Sequence, residues 1–238
     1  MTVDRFSADL LLAAVGIALT HTLLGPDHYL PFIMLARARR WSRAKTLLVT
    51  AACGAGHVAS SVLLGMLGLA LGATVGWIQR LEGARGDWAA WGLVWFGLAY
   101  TLWGVRAAVR RRRGIEPHAH GGHVHMHLGG RHHHHHVRLE DAPRAGSTFW
   151  ALFIVFVLGP CEPLIPLFVL PASRGRWDLA IATGGVFGAF TIAAMVVIVA
   201  LGHAGIERLP LGRLERWAHA MAGAVIAASG LAVVLLGL

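Results

Sequence analysis

The chain has little charge. Of its 238 residues only 14% are Asp, Glu, Lys or Arg, against roughly 25% in soluble globular domains, too few to coat a surface in water. Cysteine is scarce as well. Cys53 and Cys161 are the only two, and both lie inside apolar runs, which excludes the disulfide framework of small secreted proteins. The N-terminus MTVDRFSADL lacks a strong basic region and a small-residue cleavage site behind a short apolar core, so the first apolar segment is expected to stay in the mature protein. Also missing is an ordered basic surface. Formal net charge is +9, but Lys and Arg fall in short clusters beside apolar runs, the pattern of topology signals and anionic-lipid contacts rather than of a nucleic-acid footprint. What is abundant is apolar: 56% of residues are hydrophobic and mean hydropathy is +0.60. The composition implies an integral membrane protein whose partner is the lipid bilayer.

A transmembrane helix needs about 20 mostly apolar residues, and six stretches fit or nearly fit: 10–35, 46–79, 88–105, 146–173, 179–206 and 217–238. Trp41, Trp77, Trp88, Trp150, Trp177 and Trp217 stand where runs meet polar loops, where indole rings favour the membrane interface. Positive charge sets the orientation. Sixteen Lys or Arg fall in the first, third and fifth loops, while Arg5, Arg80, Arg85, Arg174 and Arg176 make five on the other side. Both termini are therefore expected outside the cytoplasm, in a bacterial inner membrane.

One motif occurs twice. LGPDHYLPFIMLARARRW from Leu24 aligns with LGPCEPLIPLFVLPASRGRW from Leu158, pairing Asp27 with Cys161 and His28 with Glu162. The next spans carry GAGH from Gly54 and GAFT from Gly188 at matching places. Three spans per half invert the second copy, the architecture of many secondary transporters, whose sites form near midplane where broken helices meet. The expected fold is all-α, six transmembrane helices in two inverted three-helix repeats: 1–107, a His-rich cytoplasmic loop 108–147, and 148–238. Gly25-Pro26 and Gly159-Pro160 break the first and fourth spans, and non-helical backbone at that depth survives only when buried in protein or lining a cavity.

The breaks coincide with ligand-type residues. His21 and His28 are seven apart, two turns of an unbroken helix, with Asp27 adjacent. His57 lies inside the second span, where an ionisable group is a functional candidate by default. Cys161 and Glu162 add a soft and a hard ligand from the other half. Imidazole and carboxylate suit Ni, Co, Zn or Fe better than alkali cations. The bland readings are a packing kink, helix capping by Asp27 and His28, inter-helix hydrogen bonding by His57, and a small core residue at Cys161. His203 and His219, near span ends, read as interfacial. The third loop holds His118, His120, His123, His125, His127, His132, His133, His134, His135 and His136 among glycines, a tract that collects late transition metals by composition alone or serves as a solvated, pH-responsive spacer.

In these residues the chain resembles the six-span bacterial nickel/cobalt transporter and efflux proteins, including the urease-accessory membrane proteins, within the lysine-exporter-like superfamily. Those carry a His-then-Asp-His signature in an early span, matched by His21, Asp27 and His28, and often a His-rich loop between the halves. The gap from His21 to Asp27 is one residue longer than is usual there, and the family's acidic residue within it is missing. The fold is also similar to the thiol–disulfide carriers of cytochrome c maturation. GPCEPLIP fits their second motif, but Asp27 stands where their first motif has its partner cysteine.

The resulting expectation is transport of a divalent transition metal by alternating access, not enzymatic catalysis. The cargo is Ni2+ or Co2+, with Zn2+ or Fe2+ as alternatives and no tightly bound cofactor. The expected site is His21, Asp27, His28, His57, Cys161 and Glu162, with the loop collecting metal and a homo-oligomer compatible with the architecture. The alternatives are a membrane electron carrier working by thiol exchange, and an assembly factor that delivers metal to an apoenzyme.

Overall fold

A computed structural model describes residues 5–112, 117–120, 123–126, 145–210 and 212–237. Its helices are α1 (Arg5–Leu24), α2 (Leu30–Arg39), α3 (Arg43–Ala70), α4 (Val75–Arg112), α5 (Ala145–Leu158), α6 (Leu164–Ser173), α7 (Trp177–Glu207) and α8 (Ala218–Leu236). The one departure from helix and turn among the described residues is an antiparallel hairpin in the His-rich segment, β1 (Pro117–His120) with β2 (His123–Met126), which pairs His118 with His125 and His120 with His123 in register. His127 and His132 to His136 lie outside the described residues.

Five helical stretches are long and apolar enough to cross a membrane: α1, α3, most of α4, α7, and Leu214–Leu236, which includes α8. α5 and α6 are shorter apolar helices. Leu12, Leu48, Leu63, Trp95, Ile181 and Leu201 project outward and stay exposed, a surface that suits lipid rather than water. The protein is an all-α chain of membrane-embedded type.

The packing partners follow from contacts spaced along the helices. α1 and then α2 run beside α7 in the same direction. Arg176, at the start of α7, donates to Ser7 Oγ (3.1 Å), the His21 ring lies 6.4 Å from that of Phe187, Ile33 packs on Gly202, and His203 Nε2 donates to the Trp41 carbonyl (3.3 Å). α5 and then α6 run beside α3 likewise, with Phe153 and Val157 against Gly56 and Phe168 against Gly65. α4 and α8 are antiparallel and touch through backbone. A Cβ on Gly97 would strike Ala227, one on Gly104 Ala220, one on Gly223 Thr101, and one on Gly230 the Ala90 carbonyl. Small residues allow this approach in apolar surroundings, where dispersion rather than water exclusion holds helices together.

Two features of the sequence reading change. The turn after α3 is residues 71–74, so α4 starts thirteen residues before Trp88 and carries Arg80, Glu82 and Arg85 within one continuous helix. Trp88 is exposed inside that helix, and Trp41 is buried at the α2–α3 turn beneath the Lys45 ammonium (5.1 Å).

Candidate metal centre

Both predicted breaks are present. Pro26 has no N–H and its ring would clash with the carbonyl four residues back, so a helix cannot run through it. α1 closes with Gly25 N–H on the His21 carbonyl (3.1 Å), and Pro26–His28 forms a single 3-10 turn before α2. In the second half, Gly159 N–H closes α5 on the Val155 carbonyl (2.8 Å), Pro160 stops it, and Leu164 N–H on the Cys161 carbonyl (2.9 Å) starts α6.

The two breaks meet around α3. His21, His57 and Cys161 each present a ligand atom, and the three atoms lie within 4.8 Å of one another. Donors on a tetrahedral centre with metal–nitrogen bonds near 2.1 Å and a metal–sulfur bond near 2.3 Å sit roughly 3.5 Å apart, so contraction by about an ångström closes a coordination shell. The His28 ring stands edge-on to both neighbours, 4.7 Å from that of His21 and 5.2 Å from that of His57. Nε2 of His21, of His28 and of His57 are all buried without a hydrogen-bond partner. Buried polar atoms nearly always have one. Three orphaned imidazole nitrogens in one place suit a cation.

In His57 and His28 the opposite ring nitrogen is anchored, which sets the tautomer. His57 Nδ1 lies 3.3 Å from the Phe156 carbonyl oxygen. A carbonyl only accepts, so Nδ1 carries the proton and Nε2 keeps the lone pair. His28 Nδ1 is held in the same way by Asp27 Oδ1 at 3.1 Å. Asp27 thus orients an imidazole, the usual arrangement behind a metal-ligating histidine. Gly25 is required for it, because a Cβ there would lie 2.5 Å from His28 Nδ1 and 2.9 Å from Asp27 Oδ1. A pocket of about 20 Å³ lined by Asp27, His28, His57, Gly159 and Pro160 adjoins the rings, room for one water-sized species. A larger cleft of about 540 Å³ reaches His21 past Asp87 and Glu162.

No protein family, curated protein or solved structure matches this chain. Its site therefore rests on its own geometry. Two imidazoles and a thiol form a borderline-to-soft donor set, suited to Ni, Co, Zn or Cu and poorly suited to Mg or Ca.

The structure brings His21, His57 and Cys161 together, with His28 beside them and Asp27 behind His28. Glu162 stands apart from this group, exposed along the cleft. The hairpin histidines His118, His120, His123 and His125 are separate in the chain, and His127 and His132 to His136 fall outside the described residues. His203 is buried, between the Trp41 carbonyl and Glu207 (3.5 Å). His219 Nδ1 is bonded to Tyr100 Oη at 2.8 Å.

Sequence reasoning missed Glu82 and Arg85, which read as residues of an external loop. Glu82 is fully buried and 2.8 Å from Arg85 Nη2. The available signal was Gly72-Ala73-Thr74, turn chemistry that ends the loop early and leaves an acid–base pair three apart on the next helix. Thr191 was missed too. It is the GAFT counterpart of His57, and its hydroxyl is buried without a partner.

Proposed function

We propose that this chain carries a divalent transition-metal cation, nickel or cobalt, across a bilayer by alternating access, with His21, His57 and Cys161 as the principal ligands. The observation that carries this reading is the convergence of those three donors, from α1, from α3 and from the second break, within 4.8 Å. His28, oriented by Asp27, is a fourth imidazole within reach of the same point. Metal-binding ligands placed at paired helix breaks are the arrangement through which transporters expose one site to either side in turn.

The reading counts α1 with α2, and α5 with α6, as single broken spans, which makes six in all. The reciprocal packing supports an inverted repeat: the broken span of each half lies parallel to the second span of the other, α7 or α3, while the third spans α4 and α8 meet each other. The charge split supports termini outside the cytoplasm of a bacterial inner membrane. Arg5, Arg80, Arg85, Arg174 and Arg176 stand against sixteen.

Thiol exchange has less to support it. Cys53 belongs to the apolar cluster around Phe32, Phe156 and Met195, and Cys161 to that around Phe168 and Phe187; both are free and buried. A relay needs two sulfurs that can approach each other.

The deciding experiment is uptake into proteoliposomes, comparing Ni, Co, Zn, Fe and Mn with and without a proton gradient. Saturable uptake of Ni or Co that disappears in His57→Ala supports the reading. No metal flux in any condition, from folded and inserted protein, sinks it.

A further inference from the structure

The cargo ligands are only part of the buried polar chemistry. Glu82 on α4 is fully buried, and Arg85, one turn on, is mostly so. A buried ion pair is a poor way to gain stability, since apolar side chains of similar volume do as well or better, and ionisable groups at membrane depth point to function. What the pair touches shows its use. Arg85 Nη2 donates to Ser61 Oγ (2.7 Å), one turn beyond His57 on α3, and to the Gly159 carbonyl (3.0 Å) at the second break. The same nitrogen lies 2.8 Å from Glu82 Oε2.

Glycine lets α4 come this close. A Cβ on Gly86 would lie 2.5 Å from Pro160 Cγ, and one on Gly83 would lie 3.2 Å from Glu162 Oε1. α4 therefore rests directly on the second break, with one guanidinium joining that break to α3.

We infer that Arg85, held in place by Glu82, is a positioning residue for the metal site: it fixes the distance between Cys161 on the break and His57 on α3. The inference rests on the reading of His21, His57 and Cys161 as cargo ligands. Three of the contacts that set the site's shape, Arg85 to Gly159, Arg85 to Ser61 and His57 to Phe156, cross between α3, α4 and the break, and two of the three run through Arg85.

The test uses the full chain carrying Cys53→Ser, so that Cys161 is the sole thiol, reconstituted in liposomes. Two quantities are read: the rate of Cys161 alkylation by N-ethylmaleimide without metal, and equilibrium binding of Ni2+ or Co2+. Arg85→Gln is expected to speed alkylation at least 10-fold and to weaken metal binding about 10-fold. Arg85→Lys keeps one donor for the Gly159 carbonyl and should fall between parent and Gln. Ser61→Ala, which removes one arm and is the mildest change, should speed alkylation 2- to 5-fold if Arg85→Gln does not fold. A role confined to packing would lower thermal stability without changing thiol access in the folded protein. Parent-like alkylation in Arg85→Lys and Ser61→Ala overturns the inference, as does faster alkylation with metal affinity unchanged. If the parent itself binds no metal while Arg85→Gln still exposes Cys161, the cargo reading fails and the structural tie stands.

Discussion

The imidazole of His57 is tied to the Phe156 carbonyl across 3.3 Å, which fastens the middle of α3 to the last turn before the second break. That bond leaves Nε2 of the same ring buried without a partner, so on the proposed reading one residue both builds the site and serves as its ligand. His57→Ala removes the two together. Nickel or cobalt affinity should fall at least 10-fold, about 1.4 kcal/mol, in calorimetric titration of detergent-solubilised protein. Leu201→Ala, on the exposed outer face of α7, serves as the silent control. An unchanged His57→Ala isotherm removes His57 from the ligand set.

The Asp27–His28 pair separates charge from shape. Asp27→Asn keeps an oxygen that accepts from His28 Nδ1 but loses the negative charge that offsets a dication. Asp27→Ala loses both and should cost at least 10-fold in affinity, with the Asn variant intermediate. Gly25→Ala introduces a methyl group 2.5 Å from His28 Nδ1, so it should displace the pair and resemble Asp27→Ala. Metal titration of the three variants, each first shown to be monodisperse, checks the order.

The two cysteines should behave differently. Cys161→Ser replaces a soft ligand by a harder one and should reduce transport at limiting metal at least 10-fold. Cys53 lies one turn before His57 on α3 but is not one of the three converging donors, so Cys53→Ser should transport like the parent. A thiol relay would instead lose all activity with either substitution, so equal and complete loss in both variants would overturn the metal reading in favour of the redox one.

Gly97→Val and Gly223→Val put side chains where the α4 and α8 backbones already touch. Overpacking of this kind costs on the order of 1–3 kcal/mol, so both should lower the melting temperature in detergent. Gly92→Ala meets Val155 Cγ2 at an ordinary 3.6 Å and should be tolerated.

Deleting residues 117–137 removes the hairpin together with the run from His127 to His136. If that segment concentrates metal, uptake should weaken at low metal while the maximal rate is retained. Transport lost at saturating metal, with normal membrane levels, would place the segment in the transport path.

Much of the site was legible because its local chemistry is loud. Gly-Pro steps stop helices wherever they occur, and His21, His28, His57 and Cys161 are conspicuous in apolar runs. What spacing alone did not give was division of labour. Asp27 reads as a ligand beside His28, yet in three dimensions it holds that ring, while Glu162 turns away toward the cleft. Glu82 and Arg85 were misplaced for a different reason. Charge was read as loop, and a charged pair neutralised across one helical turn and buried against a partner helix gives the same local composition as a solvated turn. His203 shows the same effect, since burial by α2 and Trp41 comes from residues far away in the chain.

The glycine contacts between α4 and α8 have a mechanical consequence. Where backbone meets backbone there are no side-chain rotamers to exchange, so neither helix can roll or slide without collision. On the proposed transport reading the pair would serve as a keel, with rearrangement left to the segments with broken hydrogen-bond ladders at Gly25-Pro26 and Gly159-Pro160. Spin labels across the α4–α8 seam should keep one distance through a transport cycle, while labels flanking the two breaks should show two.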